Sequence, residues 1–292
     1  MNIYTDQNFL INCAQRQDWR SAVLNAHHAK RISVVLSPWH FFEYGNAAAH
    51  SDADALSDFA DELQPTWILE RGDLQQQEFI ALWNNIWAGA SREFNPIRSL
   101  AEVGSSLNRV PMQIMARFSF ADYIRTFSAP GALRDIQSAM DRQEKVAAWT
   151  LNRYVNDKRF GAVLSITELY YVAVRLARLK EIVPHRVYAE AHAIMRSEPL
   201  STQVQCFVYW RCIDLLKAYR TELALSMDHW ETGGKLRRNT QVDRQHAIVA
   251  LPYCEKFVTD DNKLKNRCER VKTKLRFPTA EIITGDALIR SL

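Results

Sequence analysis

The sequence lacks the cysteine spacings that would tie it to a zinc site or a disulfide framework. Its five cysteines (Cys13, Cys206, Cys212, Cys254 and Cys268) form no CxxC pair, and an odd, scattered set suits reduced thiols. Long hydrophobic runs are missing too. None approaches the ~20 apolar residues of a membrane span, so no membrane partner is expected. The opening Met1-Asn2-Ile3-Tyr4 has neither the basic start nor the apolar stretch of a signal peptide, and a cytoplasmic location is the expectation. Charge of one sign is scarce. Lys and Arg number 37 against 33 Asp and Glu, a net of only +4, so bulk charge selects no polyanionic partner. No repeat with a fixed period occurs. The paired His27-His28 invites a metal reading, but adjacent helical residues point to different faces, and a solvated or capping role is expected.

What is present fits a globular chain. With 292 residues, 47% hydrophobic and 24% charged, it can bury a core in one large domain or two ordinary ones. Asn2 to Thr5 reads as a short strand running into Asp6, and Gln7 to Ala29 as a helix. Ile32 to Leu36 is a continuous apolar, β-branched run, as in a strand buried on both faces. Ser37-Pro38 starts a helix: a serine cap, then proline where no amide donor is needed. "PTWILER" is a candidate third strand. From Asp73 to Trp230 strand signals nearly vanish and helical spacing takes over. Strand and helix then alternate again, with strands at Lys256 to Thr259 and Glu281 to Thr284. Alternation at both ends implies a parallel sheet flanked by helices. The expected fold is therefore α/β, one discontinuous domain from residues 1–72 and 231–292, with an all-α insertion at 73–230.

Carboxylates collect where such a sheet would place a site, outside the carboxyl ends of its strands. Asp6 follows one strand, and Asp260 and Asp261 follow another. Glu43 lies on the helix after a third strand, and Asp243 on the helix leading to the Asp260 strand. Like charges brought together need compensation. Hard divalent cations provide it, and Mg²⁺ or Mn²⁺ prefers oxygen ligands. One or two such ions can activate water against a phosphodiester.

These motifs resemble those of PIN-domain ribonucleases. Members of that family open with a strand, then D-x-N or D-x-S and an apolar residue, matched here by Asp6-Gln7-Asn8 with Phe9-Leu10. "SPWHFFE" supplies Ser37 and Glu43 for the family's S-x-x-x-x-x-E. "VDRQHAIVAL" supplies Asp243 for D-x-x-(I/H)-x-x-x-A, and "FVTDD" supplies Thr259 and Asp261 for T-x-D. The resemblance covers about residues 1–70 and 238–292. The helical middle departs from the pattern, and it bears on substrate choice and regulation. The resemblance implies a PIN-like fold and an endoribonuclease in which Asp6, Glu43, Asp243 and Asp261 hold Mg²⁺ or Mn²⁺. It implies products with a 5′-phosphate and a 3′-hydroxyl. It further implies a toxin or defence role held in check by an inhibitory protein partner. A homo-oligomer is left open.

Each residue also has a plainer reading. Asp6 and Asp243 could cap helices, and Glu43 could be a surface glutamate. Asn8 is expected to orient Asp6 or a water, Thr259 to bond a ligand carboxylate or the phosphate, and Asp260 to act as an auxiliary acid. Asp286 is expected to be a cap. The segment "NKLKNRCERVKTKLR" places Lys263, Lys265, Arg267, Arg270 and Lys272 just past the acids, a candidate phosphate track for RNA. Trp83, Trp87, Trp149 and Trp210 read as core. Two rivals compete with the nuclease. A phosphatase of the haloacid-dehalogenase type needs a second Asp two residues after the first, where this chain has Asn8. The other is a degenerate PIN-like scaffold that binds RNA or protein without cutting.

Overall fold

The first strand ends up in the middle of the sheet. In the computed structural model, which describes residues 1–47, 53–75, 77–78, 81, 94–108, 112–127, 216–232 and 238–292, β1 (Asn2–Thr5) has parallel neighbours on both sides. They are β2 (Ser33–Leu36) and β5 (Lys256–Val258), with Tyr4 opposite Val35 and Phe257. β3 (Thr66–Ile68) extends the sheet in parallel beyond β2, and β6 (Glu281–Ile283) beyond β5. β4 (Ile97–Arg98) closes the β3 edge antiparallel, giving the order β4-β3-β2-β1-β5-β6. The chain is thus α/β, with a mostly parallel sheet flanked by helices. β4 falls in a stretch expected to be helical. Two residues beside Pro96 carry no detectable alternation; pairing with the β3 edge makes them a strand.

The strand residues Ile3, Tyr4, Thr5, Val34, Val35, Leu36, Phe257 and Val258 are all buried, as the central strands of a sheet covered on both faces should be. The expected helix Gln7 to Ala29 is two helices, α1 (Gln7–Gln15) and α2 (Gln17–His28). No Gly or Pro announces the break. Arg16 adopts an extended backbone there (φ −109°, ψ 107°), and its guanidinium sits over the Trp19 ring at 4.2 Å. His27 is tied to the fold, accepting from the Val34 amide at 3.2 Å.

Further helices are α3 (Pro38–Ala47), α4 (Ala53–Leu63), α5 (Leu100–Asn108), α6 (Met112–Met115), α7 (Phe120–Phe127), α8 (Lys217–Glu231), α9 (Arg238–Tyr253), α10 (Asn262–Lys272) and α11 (Gly285–Ser291). From α3, Phe41 stacks on Trp67 at 4.5 Å and on Tyr123 at 5.2 Å. That stack pins α3 against β3 and α7. From Gln241 to Pro252 every residue of α9 but Asp243 is buried, so α9 is a central helix with one half-exposed acid. Gly285 opens α11 beneath Phe9 and Trp19. A Cβ there would lie 2.7 Å from the Trp19 ring, which only glycine avoids. The cap of α11 is Thr284, whose Oγ1 accepts from the Ala287 amide at 3.3 Å. Asp286, expected as the cap, is exposed in the first turn instead.

By its internal packing the chain divides into residues Met1–Ser138 with Lys217–Leu292, and Ala139–Leu216. Helices α5 to α8, in the stretch read as an insertion, belong to the first unit. Trp83, Trp87, Trp149 and Trp210 lie outside the described residues. Among those described, no helix is long and apolar enough to cross a membrane.

Candidate functional site

The strand order reverses at β1: the chain runs outward to β2 and β3 on one side, then returns to β5 and β6 on the other. Ligand crevices in α/β sheets lie at such points, outside the carboxyl ends of the strands. Asp6 follows β1, Asp260 and Asp261 follow β5, and Glu43 sits on the second turn of α3 after β2. Asp243 lies in α9, which leads into β5.

Asp6 is only 6% exposed. It caps α1, with Oδ1 accepting from the Phe9 amide at 2.9 Å. Burial pushes its carboxyl up to about 6; the Thr259 hydroxyl, the Phe9 amide and His246 pull it down, and Glu43 pushes it up. The Asp261 amide donates to Thr259 Oγ1 at 3.1 Å, which leaves the hydroxyl proton for Asp6. Asp261 itself caps α10, its Oδ1 accepting from the amides of Lys263 (2.7 Å) and Leu264 (3.1 Å). Asp243 lies inside α9, and among the described residues it caps no helix. Burial pushes its carboxyl up to about 7; Asp261 and Glu43 add to the rise, while His246 and Arg267 oppose it. Asp243 thus senses Asp261 and Glu43, and Asp6 senses Glu43. The four acids share one electrostatic neighbourhood.

A buried histidine stands among them. His246 Nε2 lies 2.9 Å from Glu43 Oε2, and its Nδ1 lies 2.6 Å from the Tyr4 hydroxyl. Burial opposes its charge, but Glu43, Asp243 and Asp6 together hold its pKa above the ordinary value. As an imidazolium it donates at both nitrogens. Tyr4, whose pKa burial raises well above 10.0, keeps its proton for Ser37 Oγ, 2.6 Å away. His40 lies beside it, ring centroids 4.9 Å apart. Burial, and then the charge of His246, push the pKa of His40 down to about 4. Its one proton belongs on Nε2, which donates to the Thr5 carbonyl at 2.9 Å. Its Nδ1 then accepts from the Ser37 amide at 3.0 Å. That is a capping-box arrangement for α3, with histidine in the place usual for Glu or Gln.

Sequence reasoning missed His246, Tyr4 and His40. His246 had a signal: it is three residues past Asp243 and shares its helix face. Tyr4 had none, since a tyrosine in a buried strand looks like core until its partner is known. Other expected residues are placed differently. Asn8 is exposed, and Asp6 is oriented by the Phe9 amide and Thr259 instead. Asp260 is exposed and its Oδ1 accepts from the Gly285 amide at 2.9 Å, so it serves α11 and not the acid cluster. The basic segment does not form one phosphate track. Arg267 is 8% exposed and donates to the Leu225 carbonyl at 3.2 Å. Arg270 grips Asp228 with two bonds, of 2.7 and 2.9 Å. Lys272 lies 3.5 Å from Glu269. Lys263 is exposed and Lys265 half-buried at the start of α10.

The donor chemistry at the site is all oxygen apart from the imidazole. Helix capping engages Oδ1 of Asp6 and of Asp261, and His246 engages Oε2 of Glu43. No group of three or more His, Cys, Asp or Glu side chains among the described residues is drawn together to hold a metal directly. Mg²⁺ binds through one or two carboxylates and keeps several waters, so this donor set suits a hydrated hard cation. No protein-family model, curated protein or solved structure matches the chain significantly.

Proposed function

We propose that the chain is a metal-dependent endoribonuclease of PIN-like type. One observation supports the reading: Glu43 acts on both Asp6 and Asp243, Asp261 acts on Asp243, and burial raises Asp6 to about 6 and Asp243 to about 7. Such a cluster is a poor structural device and a good cation trap. Asp6, Glu43, Asp243 and Asp261 would hold the Mg²⁺ or Mn²⁺, which when bound would supply Lewis-acid charge for phosphodiester hydrolysis. The chain's own residues do the rest. Asp6 and Asp261, fixed at their helix caps, present carboxylates in set directions. Asp243 and Glu43 add their carboxylates. Thr259 steers Asp6. Lys263 and Lys265, in the first turn of the helix that Asp261 caps, offer charge to RNA phosphates. The inhibitory protein partner and the toxin or defence role implied by the resemblance belong to the same proposal.

A PIN-like scaffold that binds RNA without cutting is the second reading. It is favoured by one fact: Asp6, Asp261 and Glu43 already have hydrogen-bond duties within the fold. Incubation of structured RNA with the protein and Mn²⁺ separates the two. The nuclease reading expects cleavage that stops with EDTA and in Asp6→Asn. Cleavage that survives EDTA, or that Asp6→Asn retains, contradicts it. RNA binding without cleavage supports the scaffold.

A further inference from the structure

Four side chains join the sheet, α9 and α3 in one line of hydrogen bonds. Ser37, from the end of β2, meets Tyr4 of β1 at 2.6 Å; Tyr4 meets His246 of α9 at 2.6 Å; His246 meets Glu43 of α3 at 2.9 Å. Ser37 and Tyr4 are 0% exposed and His246 is 2% exposed. The line begins at the two central strands and ends on Glu43 of α3, which caps no helix. We propose that His246 is a positioning residue that fixes the Glu43 carboxylate for cation binding, with Tyr4 fixing His246 in turn. This rests on the metal-dependent reading above.

The physical need is plain. A glutamate has three side-chain torsions, and ordering it costs rotamer freedom. Asp6 and Asp261 are ordered by helix amides. Glu43 lies on the second turn of its helix, beyond the free amides, so another group must order it. His246 is that group, and it is rigid because its second nitrogen is held by Tyr4. Outer partners that hold a metal ligand in this way contribute strongly to metal affinity.

The test is Mn²⁺ binding by the full, metal-stripped chain, read from the electron paramagnetic resonance of free Mn²⁺, with thermal unfolding in EDTA alongside. His246→Ala should weaken binding about 10-fold or more. His246→Gln keeps an N–H donor for Glu43 and should recover most of that loss. Val23→Ala, a core truncation on α2, should lower Tm and leave Mn²⁺ binding unchanged. A folded His246→Ala that binds Mn²⁺ as tightly as wild type, while Glu43→Gln binds more weakly, overturns the positioning role alone. A folded wild type that binds no Mn²⁺ overturns the metal reading and this inference with it. Should His246→Ala fail to fold, Tyr4→Phe decides: weakened binding supports the line, and wild-type binding overturns it.

Discussion

Two charge clusters meet along α10, and they are built on opposite terms. At one, Asp228 of α8 is 2% exposed and is held by two bonds from Arg270, with the Arg267 Nε 3.7 Å away. There one buried carboxylate is held between two guanidiniums. At the other, Glu43, Asp243 and Asp6 act on the His246 imidazole, Asp261 acts on Asp243, and two of the four carboxyls are raised to about 6 and about 7. Buried charge is tolerable when paired, and breaking the pair is what destabilises. The first cluster therefore reads as architecture. The second keeps an excess of one sign at a sheet switch point, which is where a fold tolerates local cost for the sake of a ligand.

The largest expected effect breaks the paired cluster. Asp228→Ala leaves Arg267 buried without its partner and should cost about 3–5 kcal/mol of stability in urea unfolding. RNA cleavage per folded molecule should be unchanged. A loss of cleavage beyond the folded fraction would move Asp228 into the site.

The acid cluster should respond in the opposite sense. A carboxyl raised in the folded state holds a proton that the unfolded chain gives up. Stability then falls as pH rises from the ordinary carboxyl range, about 4, through the folded value. Asp243, at about 7, still contributes to that fall between pH 6.5 and 8. His246 has the same sign, since its raised pKa favours the fold below its ordinary value and that benefit is lost as pH rises through the raised one. His40, lowered to about 4, costs stability only below its ordinary 6.5, outside this window. Unfolding in EDTA should therefore show stability decreasing from pH 6.5 to 8. Asp243→Asn should flatten the slope and add about 1–2 kcal/mol at pH 8, while abolishing cleavage. A destabilised Asp243→Asn would mean that the cluster is not strained.

Smaller effects sharpen the border between the two acids that follow β5. Asp260→Ala removes a bond to the Gly285 amide and should cost about 1 kcal/mol with cleavage intact. Asp261→Asn keeps the cap of α10 and should lose cleavage. Smallest of all, Lys263→Ala with Lys265→Ala should reduce the salt slope of RNA binding by about 0.7 for each phosphate that a removed lysine had neutralised. No change in slope would place the RNA elsewhere.

The legible part of this molecule is the part written locally. β2 was readable as a continuous apolar run, β1, β5 and β6 from the alternation of strand and helix at the two ends of the chain, and the Ser37-Pro38 start of α3 because caps are short-range. The four acids could be read as a set because each stands at a strand end or helix position with its own motif. What pairs across the fold was not readable. The Asp228–Arg270 pair joins residues 42 apart, and Glu43–His246 joins residues 203 apart. Arg267 and Arg270 looked like a phosphate track because charge along a helix says nothing about which face is buried. Asp260 and Asp261 are neighbours with equal propensity. Only the start of α11 at Gly285 and that of α10 tell their duties apart. The break at Arg16 and the two-residue β4 have no breaker or period to announce them, and both are settled by packing.

The central claim is that Asp6, Glu43, Asp243 and Asp261 form a cation site. Crystals of the protein grown with Mn²⁺ and measured for manganese anomalous scattering test it most directly. The account predicts an anomalous peak bounded by the carboxylates of Asp6, Glu43, Asp243 and Asp261, lost in Asp243→Asn. A peak bound elsewhere on the chain, or an intact fold with no peak between these four residues at saturating Mn²⁺, would contradict it.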